Sequence, residues 1–207
     1  MKMRQLKLGP MDNLSYLLWE GGRAAVIDPA WQPQKLADAA AEEKAEIACV
    51  LLTHGHPDHV NGVSFFTKKF PSVPVYLHEG DNFMLENRPP SLRALEPDKP
   101  IAELPGVTAI HTPGHTPGSV CFLAGGFLFT GDTLFIGECG RVDLPGSSPE
   151  ALYDSFARLA WLGDDLAVYP GHSYNGDSST LRVQKEYNLY LKLARQERRA
   201  DFLKAVT

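Results

Sequence analysis

Cysteine is scarce: Cys49, Cys121 and Cys139 are the only three in 207 residues, an odd number with no CxxC spacing. That argues against a disulfide framework and against a zinc ribbon, and it leads us to expect a reducing, cytoplasmic setting. Long apolar runs are also lacking. The longest stretch without Asp, Glu, Lys or Arg lies between Glu103 and Asp132, and Pro105, Pro113, Pro117 and several glycines break it. It does not read as a membrane span. The basic residues Lys2, Arg4 and Lys7 lead into Pro10, Asp12 and Asn13 rather than an apolar segment, so no signal peptide is expected. There is no excess of positive charge: 20 Lys and Arg stand against 25 Asp and Glu, for a net −5. Neither a nucleic-acid nor a membrane partner is expected. With 43 % hydrophobic residues the chain is not compositionally disordered and can bury a core without staples.

The charge is unevenly spread. Leu181 to Thr207 carries seven Lys and Arg against three Asp and Glu. This short basic tail, from about residue 180 to 207, reads as helix. Its charges suit a solvated face, or an anion contact for part of a substrate.

Upstream, the pattern mixes strands and helices. Leu14–Trp19 and Ala24–Ile27 flank Gly21-Gly22, a hairpin signature. Pro33–Lys44 has a helical apolar stripe through Leu36, Ala37, Ala40 and Ala41. Ile47–Leu52 is a continuous apolar run, as in a strand buried on both faces. A helix is expected around Val60–Phe70 and a strand at Val73–Leu77. Met84–Glu103, with Pro89, Pro90, Pro97 and Pro100, reads as a loop with one helical turn. Further strands are expected at Val107–His111, Ser119–Leu123, Phe127–Thr130 and Leu166–Tyr169. Pro149–Leu162 reads as a helix capped by Ser148. No linker or repeat divides the chain, so one α/β domain over residues 1–207 is expected.

What the sequence does hold is seven histidines. His54-x-His56-x-Asp58-His59 places four metal-ligand types in six residues just after a buried strand. In extended chain, His54 and His56 project to one side, and Gly55 and Pro57 let the chain bend into a helix. Imidazole and carboxylate are the ligands zinc and similar metals take. His115, Asp132 and His172 each sit in a Gly-containing turn after a strand. Together these residues suffice for two metals. His78 and His111 read as hydrogen-bonding or packing residues. Asp28 reads either as a partner that orients a ligand histidine or as a helix cap.

This residue set resembles the metallo-β-lactamase-fold superfamily, and the resemblance runs from the first hairpin and Asp28-Pro29 to His172. It implies a four-layer αββα sandwich with the metals at one edge of the sheets. It also implies a first metal site of His54, His56 and His115, a second of Asp58, His59 and His172, and Asp132 as the bridge. The cofactors implied are two divalent ions, zinc above all, with iron or manganese as alternatives. A hydroxide between them would be the nucleophile, with Asp58 orienting it and carrying its proton.

Asp132 stands where dizinc β-lactamases carry Cys or Ser, and His56 stands where flavodiiron proteins carry Glu. The segment Gly131-Asp132-Thr133-Leu134-Phe135, followed by Cys139-Gly140-Arg141, resembles glyoxalase II, as does Tyr174. That branch cleaves a small-molecule glutathione thioester, and Arg141 and Tyr174 become the expected substrate contacts. Cys139-Gly140-Arg141-x-Asp143 also resembles persulfide dioxygenases, which use one iron held by the equivalents of His54, His115 and Asp132. Three functions stay open at this point: a thioester or ester hydrolase, that dioxygenase, and a non-catalytic metal-binding protein. Cys139 is expected to be a packed thiol.

Overall fold

In the computed structural model, which describes residues 1–207, the Gly21-Gly22 pair turns the chain as expected. Both glycines take positive φ (58° and 79°), which two-residue hairpin turns require and which costs glycine least. The turn joins β2 (Asn13–Glu20) to β3 (Arg23–Ile27) in antiparallel register. Side-chain direction then alternates with period two along β3, and all four residues after Arg23 are buried. Ala24 and Val26 enter one core, and Ala25 and Ile27 enter the next.

The expected elements form largely in place. They include α1 (Pro33–Glu42), β4 (Glu46–Leu51), β5 (Val75–Leu77), β8 (Leu104–His111), β9 (Val120–Ala124), β10 (Phe127–Gly131), α4 (Pro149–Ala160) and β11 (Ala167–Pro170). Ser148 caps α4 by accepting from the Ala151 amide at 3.1 Å.

Several expectations need correction. Lys2–Leu8, where no strand is expected, forms β1 and pairs along β2 at the sheet edge. Its Lys2, Arg4 and Lys7 are the kind of charges that discourage further strand pairing. The helix expected over Val60–Phe70 starts earlier and is broken into α2 (Pro57–Val60) and α3 (Val63–Lys69). Gly62 at the break lies against the Pro29 carbonyl, with no room for a side chain. The helical turn expected within Met84–Glu103 comes earlier, as a 3-10 turn over Glu79–Met84. That region instead holds the short strands β6 (Leu92–Ala94) and β7 (Pro100–Ile101). After β12 (Ser179–Thr180), the tail is three helices: α5 (Leu181–Tyr187), α6 (Leu189–Arg195) and α7 (Arg199–Val206). Asn188 ends α5 with extended backbone and caps α6 through its side chain.

The strands form two sheets ordered β1-β2-β3-β4-β5-β6 and β12-β11-β10-β9-β8-β7. Three apolar cores of similar size separate four layers. Leu36 and Phe66 pack under the first sheet. Leu18, Leu51, Phe122 and Phe129 fill the space between the sheets. Leu128, Phe156, Leu191 and Phe202 join the second sheet to α4, α6 and α7. The result is the αββα sandwich that the resemblance implies. No helix is long and apolar enough to cross a membrane.

The tail's charge is largely neutralised within the fold. Lys185 and Arg182 pair with Asp164 and Asp165, Arg199 with Asp154, and Arg198 with Asp201. β3, β4, β10 and β11 run in parallel pairs. Crevices beyond the C-terminal ends of such strands are where α/β sheets place their sites.

Candidate metal centre

Each of the seven predicted ligand residues follows a strand at that edge. His54, His56, Asp58 and His59 follow β4, and His115 sits in the turn between β8 and β9. Asp132 follows β10 and His172 follows β11. The structure brings all seven together. His54 Nε2 lies 3.1 Å from His56 Nδ1, and His115 Nε2 lies 3.0 Å from the same atom. On the other side His59 Nε2 and His172 Nε2 are 3.1 Å apart. Asp58 Oδ2 is 3.3 Å from His172 Nε2 and 3.6 Å from His59 Nε2. Asp132 lies between the groups: Oδ1 is 3.3 Å from His59 Nε2, and Oδ2 is 3.4 Å from His172 Nε2 and 3.7 Å from His115 Nε2. Gly171 permits this closeness, since a Cβ there would sit 2.2 Å from Asp132 Oδ1.

The outer ring nitrogens explain the orientation. His115 Nδ1 donates to the Arg141 carbonyl at 2.8 Å and His172 Nδ1 to the Met11 carbonyl at 2.7 Å. His59 Nδ1 donates to Asp28 Oδ2 at 2.9 Å. Thr53 Oγ1 gives its own proton to Asp28 Oδ2 at 2.6 Å, so it accepts from His54 Nδ1 at 3.0 Å. Four rings are thus fixed with Nε2 facing inward, the arrangement by which outer partners aim metal-binding histidines. Asp28 serves as an orienting partner rather than a helix cap. It lies within reach of His54 and His59 as if it were a ligand. Its oxygens, however, are taken by Thr53 and the outer nitrogen of His59.

Electrostatics separates the histidines. Burial pushes His54 well below the ordinary range, and neighbouring histidines add to this. His56 is lowered for the same reasons. Burial also opposes the charged form of His59, but Asp132 and Asp28 outweigh it and lift the group well above its usual value. His172 is likewise raised to about 9, with Asp132 and Asp58 overcoming burial. Burial raises Asp58, yet the bond to His172 and the charge of His59 bring it down to about 2. Without a cation the two carboxylates draw protons onto these rings, where a metal would displace them. Asp132 Oδ1 is buried without a hydrogen-bond partner. Nitrogen and carboxylate donors facing one another, with an orphaned buried oxygen among them, suit zinc, iron or manganese. The residues that could hold ions form two groups: His54, His56 and His115, and Asp58, His59 and His172.

The expected substrate contacts lie at the rim. Tyr174, half exposed, stacks on His172 with ring centroids 4.8 Å apart. The Arg141 guanidinium is held bidentately by Asp143 at 2.6 Å for each bond. Cys139 is a packed thiol, pushed up to about 12 by burial. His78 and His111 stack on each other with ring centroids 4.1 Å apart, and His111 Nε2 donates to the Pro117 carbonyl.

Sequence reasoning missed Asp81 and Asn13. Asp81 is fully buried. It accepts from Gly55 N at 2.8 Å, Thr116 Oγ1 at 2.7 Å and Gly118 N at 2.6 Å, tying the His54–His56 turn to the His115 turn. Asn13, also buried, donates to Asp58. Neither stands in a motif with a spacing rule. A lone Gly-Asp before a proline-rich loop was the only local sign of Asp81.

Known proteins are similar to this chain over most of its length. The probable polyketide biosynthesis zinc-dependent hydrolase PksB of Bacillus subtilis (strain 168) is 35 % identical over 179 residues, covering 84 % of this chain and 78 % of its own. The hydroxyacylglutathione hydrolase GloC of Haemophilus influenzae is 34 % identical, covering 84 % of this chain and 91 % of its own. Among solved structures, TTHA1623 in a di-iron-bound form superposes with a TM-score of 0.77 at 34 % identity, over 90 % of this chain and 99 % of that one. Residues 8–172, from the end of β1 to the last histidine of the cluster, match the family described as the metallo-beta-lactamase superfamily. With its fold, its ligand-bearing edge and this match agreeing, the chain belongs to that superfamily.

Proposed function

We propose that this chain is a dinuclear metal-dependent hydrolase that cleaves a thioester or ester of a small molecule, with a glutathione thioester as the first substrate to test. The observation that carries the reading is the convergence of two complete ligand groups with Asp132 facing both. His54, His56 and His115 would hold one ion, Asp58, His59 and His172 the other, and Asp132 would bridge them. The relatives add support: PksB is described as zinc-dependent, GloC as a hydroxyacylglutathione hydrolase, and TTHA1623 binds two irons. Zinc is the favoured ion, with iron or manganese as alternatives. The free cysteines fit a reducing, cytoplasmic setting.

Two divalent ions at these residues would supply Lewis acidity and bring the pKa of a bound water to about 7. The chain's own groups do the rest. Asp58 is ionised at neutral pH and partly open to solvent, so it can orient the attacking water and accept its proton. Asp28 and the Arg141 and Met11 carbonyls keep the rings from turning. Tyr174 and Phe135, with ring centroids 5.3 Å apart, wall the His172 side and give the substrate an apolar surface. Arg141 is the contact for an anionic end of the substrate, and Asp143 is its partner at rest.

The test is thiol release from a hydroxyacylglutathione under argon. Turnover is expected to stop on chelation and to return with zinc. Asp58→Ala should lower both the second ion's occupancy and the rate. Wild-type turnover by Asp58→Ala, or persulfide-dependent oxygen uptake with one iron, would overturn the reading.

A further inference from the structure

Asn13 and Trp31 form a chain of contacts that ends on Asp58 and that the reaction outlined above does not use. The Trp31 indole N–H, which can only donate, bonds Asn13 Oδ1 at 2.8 Å. This fixes which way the Asn13 amide faces. Its Nδ2 therefore points at Asp58, donating to Oδ2 at 2.9 Å and to the backbone carbonyl at 3.2 Å. A flipped amide would set N–H against N–H at the indole and oxygen against oxygen at the carboxylate.

Trp31 is held for this contact in an uncommon conformation. Its φ is +49°, a region that bulky side chains rarely adopt and that persists only where the surroundings over-determine it. Three contacts do so. Its amide donates to Asn61 Oδ1 at 2.6 Å. The indole donates to Asn13. The ring lies flat on Gly9, where a Cβ would come within 2.1 Å of Trp31 Cδ1. Trp31 nevertheless leaves 42 % of its surface exposed, so burial of the ring alone does not account for the strain.

We propose that Trp31 and Asn13 are a positioning pair for the second metal site: the indole sets the amide, and the amide aims Asp58 Oδ2 at His59 and His172. The inference rests on Asp58 being a ligand of the second ion. His54, His56 and His115 make no hydrogen bond to Asn13 or Trp31. The effect should therefore fall on one ion only.

Zinc titration of the full-length, metal-stripped protein against a chromophoric chelator reads both affinities. Hydrogen-bonding partners of metal ligands are typically worth about 10–100-fold in affinity or activity. Trp31→Phe keeps an aromatic ring but loses the donor, and Gly9→Ala, at a φ of 79°, strains the backbone there and pushes the indole away. Both should weaken the second zinc about tenfold or more, leave the first unchanged, and lower kcat with little change in KM. Asn13→Ala should do the same more strongly. Because Asn13 is buried and its loss also threatens folding, the two rim variants carry the test. Wild-type affinity for both ions in Trp31→Phe and Gly9→Ala would overturn the inference while leaving the dinuclear hydrolase standing. Equal weakening of both ions would also overturn it, since that marks a general structural role. A wild-type protein that takes up a single ion would sink both readings together.

Discussion

Asp28→Asn is the substitution whose outcome the structure specifies most fully. The carboxylate is buried and receives three donors: Thr53 N at 2.7 Å, Thr53 Oγ1 at 2.6 Å and His59 Nδ1 at 2.9 Å. Through Thr53 it also governs His54. One side chain thus orients a histidine in each ligand group. Asparagine has one oxygen for these three donors. If its Nδ2 replaces Oδ2, it faces His59 Nδ1–H, and the ring relieves the clash by carrying its proton on Nε2, toward the centre. If its Nδ2 replaces Oδ1, the buried Thr53 amide is left unpaired, at a cost of about 1–3 kcal/mol. The backbone is not the variable, because Asp28 has a φ of 47° and asparagine also tolerates the left-handed region. Loss of such an orienting partner typically costs about 10–100-fold in metal affinity, equivalent to about 1.4–2.8 kcal/mol. Chelator competition should show both ions weakened by that order in Asp28→Asn, with circular dichroism unchanged. Wild-type affinity at both positions would refute the view that Asp28 aims these rings.

Other outcomes follow from the same structure. In the metal-free protein His172 sits at about 9, raised from an unfolded value of about 6.5. Its contribution to stability is therefore full below about pH 6.5 and is lost as pH rises through about 9. Urea unfolding of the metal-free protein across that range checks this, and zinc uptake at neutral pH should release protons into a weakly buffered solution. Gly118→Ala would place a Cβ 2.6 Å from Asp81 Oδ1 and push that carboxylate off the two turns it joins. Affinity for the ion at His54, His56 and His115 should fall more than for the other. Phe129→Ala, in the core between the sheets, should cost about 3–5 kcal/mol by denaturant titration. The number of ions bound per folded chain should not change.

The regular elements were legible where one physical signal dominated. Gly21-Gly22 had to be a turn, Ile47–Leu51 could hardly be exposed, and the Ser148 cap announced α4. Elements set by tertiary context were not legible. β1 carries lysine and arginine because it is an edge, and those charges hid it. β7 is two residues long and exists by pairing with β8. The helix after His59 broke because Gly62 meets the Pro29 carbonyl, a contact between residues far apart in sequence. The site divides the same way. Its metal-facing residues were legible because imidazoles at short, fixed spacing have few other uses. The residues that aim them are common types in common places. Asp81 reads as a turn carboxylate, Asn13 as a loop amide and Thr53 as a strand end, until the fold puts a donor against each oxygen. Arg141 reads equally as an anion contact or as a structural salt bridge in sequence, and the structure pairs it with Asp143.

The central claim is two ions and a hydrolytic reaction in one site. Elemental analysis of the purified protein, run on the sample used for thioester cleavage in an oxygen electrode, tests it most directly. The account predicts two divalent ions per chain, zinc foremost, with cleavage that consumes no oxygen and stops when the ions are stripped. One iron per chain with oxygen uptake, or cleavage that survives stripping, would contradict it.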